Sequence, residues 1–268
     1  MNQTKFHTIC MALLAVSVMA GANEAFVYGM RFVENGNEAY RGGLNLRVEG
    51  ITAASYLRLG GGLDWIDLWI DSESEKAGFE VGAETLSAFN ELFRGTYLLR
   101  ILRDSSETMY AFTIQDLSAE WLPALPELGS RPSQIPPQYR FEWNWDDRAD
   151  LKVVEYRSEG NTVNNEQWLW SSDPGFDDLY RDVDFGTFRG VGIFRVIYGN
   201  QRTDWMIGWT LTSGDELFDG HPPAQYAGAG EGFTFEVIPE PSTVVLALVG
   251  VGGVRVALRP RGRRRWIL

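Results

Sequence analysis

Apolar and polar residues alternate with a period of two along most of the stretch from residue 23 to residue 238. In Phe141-Glu-Trp-Asn-Trp-Asp, for example, Phe141, Trp143 and Trp145 fall on one face, and Glu142, Asn144 and Asp146 on the other. That pattern belongs to a half-buried β-strand. Gly, Asn, Asp and Ser separate the alternating segments, as turn residues do. Tyr198-Gly-Asn-Gln201 lies between the apolar runs 193–197 and 205–211 and predicts a hairpin turn. One segment departs from the β pattern. Over residues 83–93, Leu86, Phe89, Leu92 and Phe93 follow a 3.6-residue period and predict a short amphipathic helix.

The alternation recurs at a larger scale. The segment beginning Phe93-Arg-Gly-Thr-Tyr aligns without a gap on the one beginning Phe188-Arg-Gly-Val-Gly, and Leu44, Leu46 and Val48 meet Tyr139, Phe141 and Trp143 at the same offset. Between the halves, residues 122–137 hold Pro123, Pro126, Pro132, Pro136 and Pro137, which is linker chemistry. The expected fold is all-β, with two tandem sandwiches of immunoglobulin or fibronectin size over residues 23–121 and 138–238. One large jelly roll spanning both is the alternative.

Different physics governs the two ends. Lys5 precedes an apolar run over residues 9–19, which is followed by Ala20, Gly21 and Ala22. A basic head, a short apolar segment and an A-x-A site predict a secretory signal helix over residues 1–22, cleaved before Asn23 by signal peptidase after passage through the Sec translocon. At the other end, Pro239-Glu240-Pro241-Ser242 leads into a membrane segment containing Val244, Val245, Leu246, Ala247, Leu248, Val249, Val251 and Val254. Arg255 interrupts this apolar helix and can snorkel toward headgroups. The cluster Arg259, Arg261, Arg263, Arg264 and Arg265 then closes the chain. Residues 244–258 would span roughly 22 Å as a helix, marginal for a bilayer. The arginines should stay cytoplasmic, which leaves the body outside.

This order of Pro-Glu-Pro-Ser, apolar helix and arginine cluster over residues 239–268 resembles the PEP-CTERM sorting tail of Gram-negative bacteria. The resemblance implies exosortase as a processing partner and a place at the cell surface or in a biofilm matrix, with exopolysaccharide nearby. It covers only the tail and says nothing about the body.

Charge narrows the partners further. The body carries 17 cationic against 35 acidic side chains. Nucleic acid is excluded as a charge-held partner, because counterion release needs a cationic surface. The single cysteine, Cys10, lies in the signal segment, so the exported body has no disulfide and must rest on its apolar core. With His221 as the body's only imidazole, zinc sites of the His/Cys type are excluded too.

No nucleophile elbow, phosphate-binding loop or metalloprotease motif occurs, and the reading is non-catalytic, with a glycoside hydrolase as the remote alternative. No cofactor is expected apart from calcium. Asp173, Asp177, Asp178, Asp182 and Asp184 place hard oxygen donors in loop-like sequence, and Asp146, Asp147 and Asp150 form a second group. Nine tryptophans in the body raise a carbohydrate-binding alternative, in which Trp168 and Trp170, two residues apart on a strand, would stack on sugar rings. The competing role for these indoles is the bulky core of a sandwich that has no disulfides.

Overall fold

The alternating segments fold as strands and the 3.6-period segment as a helix in a computed structural model. It describes residues 23–61, 64–71, 75–103, 105–144, 149–158, 166–171, 179–186 and 190–238. The signal segment and the sorting tail lie outside the described residues, and among those described no helix is long and apolar enough to cross a membrane.

Numbered in chain order, the strands among the described residues form three sheets. The largest runs from β13 (Glu166–Ser171) through β12 (Leu151–Ser158), β15 (Gly190–Arg202), β17 (Ala224–Val237), β1 (Glu24–Glu34), β2 (Asn37–Arg47) and β6 (Lys76–Ala83) to β5 (Trp69–Asp71). The short β10 (Gln134–Ile135) joins the end of β17 in parallel. A five-stranded sheet has the order β16 (Met206–Ser213), β8 (Ser106–Ile114), β7 (Gly95–Arg103), β3 (Ile51–Arg58) and β4 (Ile66–Asp67). A three-stranded sheet contains β14 (Tyr180–Asp184), β11 (Gln138–Asn144) and β9 (Glu127–Leu128).

Both smaller sheets pack on one face of the large sheet. Ala227 belongs to the first core, and Phe233, Phe235 and Val237 belong to the second. These residues are even numbers of positions apart on β17, so they share a face. In the first core Phe79 stacks on Tyr56 with ring centroids 4.3 Å apart, and Tyr97 stacks on Phe112 at 5.4 Å. In the second, Phe141 stacks on Phe194 at 4.3 Å. Burying each such side chain stabilises the fold by about 1.5–3 kcal/mol before conformational entropy is counted. Each core is a β-sandwich, as the alternation predicts, and one sheet serves both.

The join is the parallel pairing of β1 with β17, from Phe26 opposite Ala224 to Glu34 opposite Gly232. It places a strand of residues 23–121 beside one of residues 138–238. The aligned repeat segments do fold as strands, but on different layers, with β7 in the five-stranded sheet and β15 in the large one.

Three local expectations change. The proline-rich interval 122–137 is no free linker but a strap laid on the shared sheet. It supplies β9 and β10, buries Leu128 and Ile135, and offers the Ala124 carbonyl to the Tyr198 hydroxyl. Arg131 of the same strap pairs with the buried Glu231. The expected turn at 198–201 is continuous strand, with Gly199 opposite Gly228 and Gln201 opposite Tyr226. There Gly199 answers a close backbone approach, since a Cβ would stand 3.0 Å from the Ala227 carbonyl oxygen. β16 accordingly pairs with β8 rather than with β15. The helix α1 (Leu86–Phe93) begins later than its pattern, at an N-cap where Thr85 Oγ1 accepts from the Ala88 N–H at 3.2 Å. Phe89 and Phe93 enter the core, while Leu92 is 50% exposed.

Candidate functional site

Of the acidic residues considered for calcium, Asp182 and Asp184 lie on β14, and Asp173, Asp177, Asp178, Asp146 and Asp147 lie outside the described residues. Asp182 is already committed. Its two oxygens accept from Nε and Nη2 of Arg140, both at 2.8 Å, and these hydrogen bonds hold its carboxyl below the usual aspartate range. Arg140 also stacks over the Tyr180 ring at 4.4 Å. Asp184 accepts from the Gly186 N–H at 2.8 Å and from Gln138 Nε2 at 3.3 Å. Asp150 accepts the Gln201 N–H at 2.7 Å. Among the described residues no three His, Cys, Asp or Glu side chains gather as metal ligands.

The tryptophans whose side chains are described are buried or half-buried. Trp143 and Trp205 are buried, and Trp209 stacks on Tyr110 with centroids 4.5 Å apart. Trp65 carries the Arg100 guanidinium over its ring at 4.8 Å. Trp168 and Trp170 stand opposite Glu155 and Val153 in the β12–β13 register; their side chains lie outside what is described. His221 is exposed in the turn after Phe218, whose carbonyl takes its backbone N–H.

On the face of the large sheet away from the two sandwich cores is a feature the sequence reading missed. Glu155, Arg195, Gly232 and Glu34 stand in one register row across β12, β15, β17 and β1. Arg195 Nη1 donates to Glu155 at 3.3–3.4 Å, and Nη2 donates to Glu34 at 3.1 Å. Burial alone would lower the Arg195 pKa, but the two carboxylates outweigh it and raise it. In the next row Val153, Ile197, Gly230 and Phe32 align, and a Cβ on Gly230 would stand 2.5 Å from the Phe32 ring. The signal was present in Tyr226-Ala-Gly-Ala-Gly-Glu-Gly-Phe233. Glycine at every second position leaves one face of a central strand bare, so long side chains from its neighbours can cross it.

A cleft of about 560 Å³ opens between the Leu59–Gly61 turn, the end of α1 and the end of β8. Arg58 spans its floor, donating from Nη1 to the Leu92 carbonyl at 2.9 Å and from Nη2 to the Glu91 carbonyl at 2.7 Å. Those are carbonyls at the end of α1 that lack helical partners, so the cation also meets the negative end of the helix dipole. Gly95 at φ +145° leaves room for Arg58, whose Nε would lie 2.9 Å from a Cβ there. Across the cleft, Arg94 Nη1 pairs with Asp116 at 3.2 and 3.4 Å, both residues about half exposed.

No family model matches the chain, and no curated protein does. Among solved structures it is similar to the FN1–FN3 domains of chicken CNTN1, at 10% identity and a TM-score of 0.21, over 79% of this chain and 66% of that one. It is also similar to a Dpr11 IG1 complex with DIP-gamma IG+IG2, at 9% identity and a TM-score of 0.19, over 80% of this chain and 99% of that one. At such scores the likeness carries no argument, and the all-β sandwich class rests on the sheets themselves.

Proposed function

We propose that this is an exported, surface-sorted β protein that acts without catalysis as a component of the cell envelope or extracellular matrix. The observation that carries the reading is the order of signals at the two ends: an A-x-A site at Ala20–Ala22, and Pro239-Glu-Pro-Ser followed by an apolar segment and arginines. A charged stub held by the positive-inside bias leaves everything before Pro239 on the far side of the membrane. A body in which two cores share one sheet and no cysteine is needed suits that destination, because its stability does not depend on oxidative folding.

Fractionation of the producing cells, with and without exosortase, tests the proposal. Expected is a surface or matrix product beginning at Asn23 that has lost its arginine-rich end, and retention of the tail in the membrane when exosortase is absent. Intact chain recovered in the cytosol, still carrying residues 1–22, overturns it.

A further inference from the structure

We propose that the cleft between Leu59 and Asp116 binds the carboxylate of a small organic acid. Its charged lining residues are Arg58, Arg94 and Asp116, so it carries one positive charge in excess. Asp116 neutralises Arg94. Among the described residues no carboxylate neutralises Arg58, whose partners are the uncharged carbonyls of Leu92 and Glu91. The end of α1 adds roughly half a negative charge there, which offsets Arg58 only in part. The body holds 17 cationic against 35 acidic side chains, so a cleft of this sign runs against its surroundings. Distant carboxylates reach it weakly, because the Debye length at physiological salt is about 8 Å.

The geometry of the free donors selects a carboxylate among anions. Arg94 approaches Asp116 through Nη1 alone, which leaves Nε and Nη2 as donors. Those two nitrogens form a planar fork that matches the two oxygens of a carboxylate. The same pair of atoms on Arg140 holds Asp182 in this way, both bonds at 2.8 Å. A single excess charge suits a monoanion, and Asp116 beside the fork repels a dianion such as phosphate more strongly. The volume, about 560 Å³, lies within the roughly 300–1,000 Å³ of small-molecule sites and leaves room for the rest of the acid. On the Leu59–Gly61 side the mouth is open, since a Cβ on Gly60 would meet nothing within 4 Å. Asp116 is therefore an internal competitor, drawing on the same guanidinium that the ligand would use.

The test is calorimetric titration of the purified full chain with lactate and glucuronate, each against its uncharged counterpart, lactamide and glucose, with inorganic phosphate as a further titrant. At least one carboxylate is expected to bind and its counterpart not. Arg94→Gln should raise Kd about tenfold, the equivalent of one charge-assisted hydrogen bond. Asp116→Asn should lower Kd by about the same factor, because it removes the competitor. The Arg94–Asp116 pair is about half exposed, so neither variant should shift the melting temperature much. Arg94→Lys keeps the charge without the fork, and its Kd should also rise. The proposal is overturned if neither carboxylate binds, if the uncharged counterparts bind as well, if phosphate binds more tightly, or if Asp116→Asn leaves Kd unchanged. None of these outcomes depends on where the cell places the protein, so failure here leaves the surface-sorting proposal untouched.

Discussion

Arg195 reaches Glu34 at 3.1 Å by passing directly over Gly232, the residue that separates their strands. The bond exists because β17 presents no side chain at that point. A Cβ on Gly232 would stand 2.7 Å from Arg195 Cγ and 2.8 Å from the Phe194 carbonyl oxygen. Gly232→Ala therefore overfills the row, and the expected loss is about 1–3 kcal/mol of stability, read as a lowered urea midpoint. A midpoint equal to the parent's would mean that Arg195 has another route.

Removing the cation should cost more than crowding it. Glu155 is fully buried and Glu34 partly so, and Arg195→Met takes the Arg195 countercharge from both. Breaking a buried pair from one side typically costs about 3–5 kcal/mol, because a buried charge loses a countercharge in a poorly polarisable interior. Adding Glu155→Gln should recover part of that loss by removing one carboxylate that has lost the Arg195 countercharge. The comparison is made by chemical denaturation of the single and double variants. If Arg195→Met stays within about 0.5 kcal/mol of the parent, the row has no energetic role.

Strand positions were legible in the sequence because alternation is local. Phe141 and Trp143 face the core and Glu142 and Asn144 face solvent, as their spacing predicts. Sheet sharing was not legible, since β1 meets β17 from opposite ends of the body and nothing in either segment names its partner. Gly199 departs from the turn expected there for a related reason. A glycine required by a close strand approach looks, in sequence, like a glycine required by a turn. As for the cleft, its lining comes from three separate stretches of chain, and Arg58 and Arg94 read individually as ordinary surface charges until helix α1 brings carbonyls to the first and Asp116 comes to the second.

Gln225 offers a test of how the chain leaves the shared sheet for the five-stranded one. Its buried Oε1 accepts from the backbone N–H of Trp205 at 2.9 Å and of Met206 at 2.7 Å, while Nε2 donates to the Met206 carbonyl at 3.1 Å. The Trp205 ring then packs on Gly29, where a Cβ would stand 2.5 Å from it. Gln225→Ala strands three buried backbone groups, at about 1–3 kcal/mol for each one left unsatisfied. Thermal unfolding should register the loss, and hydrogen exchange at Trp205 and Met206 should rise with it. Unchanged protection at those two amides would place the anchor elsewhere.

Two glutamates should pull the pH dependence of stability in opposite directions. Burial raises the Glu231 pKa, and Arg131 offsets this only in part. For a carboxyl whose folded-state pKa is raised, the fold holds the proton more tightly, so stability falls as pH climbs from about 4.5 through the raised value. At Glu216 burial also pushes upward, but the Phe218 N–H, the Tyr110 hydroxyl and the Gly220 and Leu217 N–H groups outweigh it and hold the carboxyl low. Its contribution is present above about 4.5 and is lost as pH falls through the lowered value. Glu231→Gln should consequently stabilise the protein at neutral pH, with the gain vanishing in acid. Glu216→Gln should destabilise it at neutral pH, and that difference should vanish in acid as well. Urea midpoints from about pH 3 to pH 8 separate the two. Were both variants to shift stability in the same direction at neutral pH, the balance between burial and hydrogen bonding assigned to one of these carboxyls would be wrong.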